Sequence, residues 1–432
     1  MTLSRRSFLA GVSLALASGC AARATRQIGG ARSIAPERRR PDDSKPHYVL
    51  LIQLRGGFDS VLSIDPKDQS VVGDGIYCGY RADERRRGAL RLYGPVTGGL
   101  ERHDRDLCFL NGVRSDTVGH NDGYAMLERG SNFATESRSI GSVIGANLPG
   151  DAPRAYWDIS YSVDAMLRIS GHEGHPSELT RERLRPPTED DERLDRQRLA
   201  WSQLMNEEHI RAVQGLAGVE DGFRTGYIDA LQEATILDPV LTAAMAGEQR
   251  WPFSSPLSIQ LAVALQALRS NAVRCIALGC PYNYLDSHTD HQRYQTTRLE
   301  PVLRDLATLI DALKAERNGF GSLLEQTTIA AYSELGRFPR LNGNQGKDHF
   351  PENAWILAGR GVPGGFTAGA TDNHYRGLKI DFRTGQSSAD HGRPLYLDSA
   401  FASLLEMVGI DATRHGYARD AALECLVASR RA

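Results

Sequence analysis

The chain has 432 residues, 24% of them charged and 41% hydrophobic, with a formal net charge of −2. Such a balance describes a globular protein long enough for one large α/β domain or two small ones. A nearly neutral charge gives no electrostatic reason to expect nucleic acid as a partner.

The first segment, Ser4-Arg5-Arg6-Ser7-Phe8-Leu9-Ala10, pairs two arginines with a short apolar run and reads as a twin-arginine export signal over residues 1–19. The run from Leu9 to Ala17 is about half the ~20 residues that a bilayer span needs, so a permanent transmembrane anchor is not expected. Ala17-Ser18-Gly19-Cys20 resembles a lipoprotein cleavage box, which would leave Cys20 acylated; ordinary cleavage nearby is the alternative. Residues 20–46 read as a polar linker whose Arg38-Arg39-Arg40 is a solvated tether. The expected location is the periplasm, free or attached to the outer membrane, after passage through the twin-arginine translocase.

From residue 47 onward, continuous apolar runs at 47–55, 107–113, 153–160, 272–279, 326–332 and 354–358 predict buried strands. Three- and four-residue apolar spacing predicts helices at 138–147, 257–269, 296–316 and 397–408. Alternating strands and helices imply a mainly parallel sheet sandwiched by helices, in one α/β domain over 47–432. Residues 176–255 are rich in Arg, Glu, Asp and Gln and read as a helical insertion or cap. Six cysteines occur, at 20, 78, 108, 275, 280 and 425. Cys275 and Cys280 flank a strand and could bridge only if the chain doubled back.

Ligands in open α/β sheets bind beyond the carboxyl ends of the strands, and polar residues gather at those places in this sequence. The first strand ends in Arg55-Gly56-Gly57-Phe58-Asp59-Ser60, and the second is followed by Ser115, Asp116, Thr117, His120 and Asp122. Asp286-Ser287-His288-Thr289-Asp290-His291 follows a later strand, and Ser333-Glu334-Leu335-Gly336-Arg337 another, with Asp348-His349 before the next. Carboxylates and imidazoles collected at one end of a sheet repel unless a cation sits among them. Oxygen and imidazole donors without thiolate suit Zn, Mn, Mg or Ca, as one or two divalent ions.

The order LIQLRGGFDS, GHNDGYAMLERG, YLDSHTDHQ, AAYSELGRFPR and GKDHF resembles a bacterial family known only as domain of unknown function 1501. That family is similar to the alkaline phosphatase and sulfatase superfamily. The resemblance implies an alkaline phosphatase-like fold. It also implies an exported metal-dependent hydrolase of phosphate or sulfate esters acting on a small ester substrate. Asp59 would be a ligand of one metal, Asp286 with His288 or His291 of another, with Glu334, Asp348 and His349 completing the set. Arg337 would bind a nonbridging oxygen or pair with Glu334, and His120 would contact substrate or support metal. Thr117, with Ser115 beside it, is the candidate hydroxyl nucleophile. Leu335 stands where the superfamily has a histidine ligand, and no cysteine fits the sulfatase C-x-P/A-x-R spacing. These departures leave a noncatalytic periplasmic binding or scaffold protein as the alternative. His391 is a rival late ligand ranked below His349, and His172 with His175 reads as exposed loop.

Overall fold

In the computed structural model, which describes residues 45–130, 139–150, 152, 154–160 and 252–427, the first apolar run becomes β1, Tyr48–Gln53. The other strands of the main sheet follow in chain order. They are β2 (Leu107–Arg114), β3 (Arg154–Asp158), β4 (Val273–Gly279), β5 (Thr327–Tyr332), β8 (Glu352–Gly359) and β9 (Phe366–Ala368). Between β5 and β8 lies a short antiparallel pair, β6 (Gly336–Arg337) and β7 (His349–Phe350). The seven-stranded sheet runs in the order β9-β2-β8-β5-β1-β4-β3. β1 pairs in parallel with both β4 and β5, and alternate residues of it are buried on both faces, which is why it reads as an unbroken apolar run.

One strand departs from the parallel reading. β8 runs antiparallel to both β2 and β5. No helix lies between β5 and β8, only the β6–β7 pair. A parallel return needs a crossover of a dozen or more residues, usually helical, whereas a chain that folds back through a hairpin arrives antiparallel. The sheet is therefore mostly parallel rather than wholly so.

The longer helices of the described residues are α1 (His120–Arg129), α2 (Ile140–Asn147), α3 (Ser258–Arg269), α4 (His291–Ala315) and α5 (Leu397–Met407), and a single turn, Glu424–Val427, follows them. Four of these match the predicted helices, while α1 was not expected. Side chains from α2 and α5 join Val49, Leu51, Leu110, Ala330 and Leu357 in one apolar cluster. Inside it Tyr332 stacks on Trp355 at 4.5 Å, and Trp355 meets Phe401 edge-on at 4.8 Å. The described cysteines, Cys78, Cys108, Cys275, Cys280 and Cys425, are free thiols.

The chain divides into two compact units. The unit made of 39–161, 252–261 and 273–432 carries the sheet; the other comprises 1–38, 162–251 and 262–272, of which 262–272 is described. The export signal over 1–19, Cys20, the linker as far as residue 44, His172, His175 and residues 176–251 of the expected cap lie outside the described residues.

β1, β2, β4 and β5 all point the same way, and β8 points the other. The segments after β1, β2, β4 and β5 and the segment before β8 therefore meet at one end of the sheet. Topology alone delivers 54–60, 115–120, 280–291, 333–337 and 347–350 to the same edge.

Candidate metal centre

The segment after β4 crosses the end of β1 at very short range, and glycine makes that crossing available. Gly56 has φ of +102°, and a Cβ there would lie 2.5 Å from the Leu285 nitrogen and 2.6 Å from that of Asp286. Gly57, with φ of +88°, leaves room for the Arg337 side chain, whose Nε a Cβ would meet at 2.6 Å. The Gly-Gly pair after the first strand thus brings Asp286 and Arg337 to the strand end.

Asp286 is the centre of the arrangement. His120 Nε2 lies 3.4 Å from its Oδ2, while His288 Nε2 and His349 Nε2 lie 3.2 Å and 3.6 Å from its Oδ1. Each ring has its other nitrogen on an oxygen. His120 Nδ1 is 2.7 Å from Glu334 Oε1, His288 Nδ1 is 2.9 Å from Asp348 Oδ1, and His349 Nδ1 is 2.6 Å from the Val118 carbonyl. Carboxylate and carbonyl oxygens only accept, so in a neutral ring the proton sits on Nδ1 and the Nε2 lone pair faces Asp286. This is the pattern by which proteins orient histidine ligands.

The spacing suits a cation. Donors about 2.0–2.1 Å from a tetrahedral ion stand roughly 3.3 Å from one another. His288 Nε2 and His349 Nε2 are 2.9 Å apart, a separation at which two lone pairs repel unless a proton or a cation lies between them. His120, Asp286 and His349 each offer a ligand atom within 4.8 Å of the others. His120 Nε2 is buried and faces the Asp286 carboxylate. Burial by itself would lower the His120 pKa, yet hydrogen bonds and charge from Asp286 and Glu334 push it up to about 9. The field that holds a proton there would also draw a metal ion. Burial acts against the Asp286 charge, but His120, His349 and Arg337 hold its carboxyl well below the usual range.

The remaining expected residues take other places. Glu334, whose side chain is fully buried, spends Oε1 on His120 and on the Gly56 N–H at 2.9 Å, and Oε2 accepts from Ser333 Oγ at 3.0 Å. It stands one bond further from the centre than the resemblance implied. Asp348 likewise holds His288 and also accepts from Asn342 Nδ2 at 3.0 Å. Arg337 pairs with Asp286, its Nη2 2.6 Å from Oδ1, rather than with Glu334. Its other bonds go to the carbonyls of Gly56 and Lys347.

Asp59 and His291 form a second, buried group. His291 Nε2 lies 2.5 Å from Asp59 Oδ2, and Lys347 Nζ donates to the same oxygen at 2.9 Å. Asp59 Oδ1 accepts the Val61 N–H at 2.8 Å. Burial opposes the charge on Asp59, but Lys347 and His291 keep its carboxyl far below the usual range. The carboxylate expected to ligate a metal is thus engaged with an ammonium, a partner that sequence reading missed. Lys347 adjoins Asp348-His349, but nothing local in the sequence marks it as buried.

Thr117 Oγ1 accepts the Gly119 N–H at 2.9 Å, shaping the turn that opens α1. Ser115 Oγ lies 3.3 Å and 3.2 Å from the carbonyls of Thr117 and Pro351. His391 is exposed, and its backbone N–H bonds Ser388 Oγ. The mouth of the centre lies towards His288, whose side chain is 45% exposed against 9% for His120.

A family model described as a protein of unknown function (DUF1501) matches residues 168–429. No curated protein matches the chain. Among solved structures, that of the PH0037 protein from Pyrococcus horikoshii is similar over 84% of this chain and 97% of that one, at 12% identity and a TM-score of 0.32.

Proposed function

Taking as premise that the chain belongs to the DUF1501 family of proteins of unknown function, we propose that it is an exported hydrolase of phosphate or sulfate esters that binds a divalent cation at Asp286. The observation that carries this reading is the set of three imidazoles, each tied through Nδ1 to an oxygen acceptor and each turning Nε2 to Asp286. Imidazole nitrogens beside a single carboxylate favour zinc over magnesium or calcium, which prefer oxygen throughout. A cation held there would act as a Lewis acid, polarising an ester oxygen and acidifying a water molecule.

The chain's own residues divide the remaining tasks. Glu334, Asp348 and the Val118 carbonyl fix the three rings, and Arg337 holds the Asp286 carboxylate in place. Water is the favoured nucleophile because the nearby hydroxyls are engaged. Thr117 accepts a turn N–H, and Ser115 lies against two carbonyls. The open side at His288 is the approach for a small anionic ester. Export through the twin-arginine route fits a protein that folds around its ion before transport, with the periplasm or the outer membrane as its destination.

One observation favours the noncatalytic alternative. Arg337, the residue suited to a nonbridging oxygen, has its guanidinium committed to Asp286 and two carbonyls. Purified chain assayed for bound metal and for turnover of 4-nitrophenyl phosphate and 4-nitrophenyl sulfate separates the two. Bound zinc with turnover that Asp286→Asn abolishes supports the hydrolase. Zinc without turnover, or a folded chain that takes up no ion, leaves the noncatalytic binding or scaffold protein.

A further inference from the structure

Behind the Asp286 centre runs a chain of polar side chains that touch no proposed ligand, yet Ser287 adjoins two of them in sequence and Lys347 lies two residues before a third. Lys347 Nζ donates to Asp59 Oδ2 at 2.9 Å, His291 Nε2 meets the same oxygen at 2.5 Å, and Ser287 Oγ lies 2.8 Å from His291 Nδ1. Gln295 Nε2 closes the run, 3.3 Å from Ser287 Oγ and 2.9 Å from the Leu285 carbonyl. Lys347, Asp59, His291, Ser287 and Gln295 are each at most 1% exposed.

Hydroxyl, imidazole and carboxylate in sequence invite comparison with an activated serine. That role does not fit here. Ser287 is 1% exposed, its hydroxyl is already matched on both sides by His291 and Gln295, and no ester can reach it. Burial moreover lowers the His291 pKa despite its contact with Asp59, which favours a neutral ring donating from Nε2 and accepting at Nδ1.

The placement of the run has a different use. Ser287 lies between Asp286 and His288, and Lys347 immediately precedes Asp348 and His349. The Lys347 N–H also donates to the Ser287 carbonyl at 3.0 Å, joining the two segments directly. Both ligand-bearing segments are thereby moored to one point, Asp59 in the segment that follows β1. Building on the metal-centre reading above, we propose that Lys347 is a positioning residue for the cation: through Asp59, His291 and Ser287 it sets the separation of 286–288 from 348–349. A preorganised ligand set binds its ion tightly because the protein does not have to rearrange to meet it.

The test uses the full mature chain, zinc ion as the probe, and competition with a chromophoric chelator well below the melting temperature. Lys347→Met is expected to weaken zinc binding roughly 10–100-fold, the usual effect of removing a residue that supports a ligand. It also leaves Asp59 without its counter-charge and so lowers the melting temperature. The double variant Asp59→Asn with Lys347→Met removes both charges and is expected to regain melting temperature while zinc affinity stays low. A merely structural role predicts that affinity returns with stability, and that outcome overturns the proposal, as does a folded Lys347→Met chain with wild-type affinity. If the single variant does not fold, the double variant decides alone by the same criterion. A wild-type chain that binds no zinc overturns the metal-centre reading and this inference with it.

Discussion

Replacing Glu334 by glutamine changes the charge behind His120 and almost nothing else. An amide oxygen in the place of Oε1 keeps the His120 and Gly56 donors, at 2.7 Å and 2.9 Å. An amide nitrogen in the place of Oε2 would face Ser333 Oγ, whose proton can go to the Leu54 carbonyl at 2.7 Å, leaving a lone pair for the new donor. Charge-assisted bonds of about 1.5–3 kcal/mol each become neutral ones of about 0.5–1.5 kcal/mol each, so every bond kept loses on the order of 1 kcal/mol. The Glu334→Gln chain should therefore melt at a lower temperature but still cooperatively. Zinc affinity should fall as well, by roughly 10–100-fold, because the carboxylate no longer strengthens the His120 donor. That loss corresponds to about 1.4–2.8 kcal/mol. In metal-free protein the His120 pKa, raised to about 9 with Glu334 in place, should move down. Chelator competition measures the first effect and proton NMR titration of His120 the second. A folded Glu334→Gln chain with unchanged zinc affinity and an unchanged His120 titration would refute the assignment of His120 Nε2 as a ligand oriented by Glu334.

Two further outcomes test the fold around the site. Gly56→Ala forces a Cβ to within 2.5 Å of the Leu285 nitrogen at a φ of +102°, so a melting experiment should show destabilisation beyond the ~1 kcal/mol of strain expected for the backbone alone. The same substitution should reduce zinc affinity, because the backbone it displaces carries Asp286. Glu352 has its carboxyl pKa raised by burial, against an opposing pull from Arg114, and its Oε2 has no partner. A raised acid is harmless below its unfolded pKa of about 4.3 and penalises folding as pH rises through the folded value. Glu352→Gln should therefore raise the melting temperature at pH 7 and make little difference at pH 4; a larger gain at pH 4 would contradict the burial argument.

Much of the sheet was readable from sequence because its central strands are buried on both faces. A strand such as β1, Tyr48–Gln53, has to be apolar throughout, and that leaves an unmistakable run. The polar segments at the strand ends were readable for the same reason, since they begin where the runs stop. Helix α1 was not foreseen, because His120–Arg129 opens with polar residues and contributes only Gly123, Tyr124 and Leu127 to the interior. The direction of β8 was also hidden, since an apolar run does not reveal whether its neighbours run with it or against it.

Within the site, sequence determined the inventory: acidic and imidazole groups placed beyond strand ends, with no thiolate motif among them. It could not determine which carboxylate each imidazole would face. Asp286 and Glu334 are both acids following a parallel strand, yet one stands among three Nε2 atoms while the other holds an Nδ1. Asp59 looked like either, until folding brought Lys347 to within 2.9 Å of it. Residue type fixes which atoms can donate or accept; only the crossing of segments distant in the chain fixes which donor an acceptor meets, because contact is set by packing in space and not by order along the backbone.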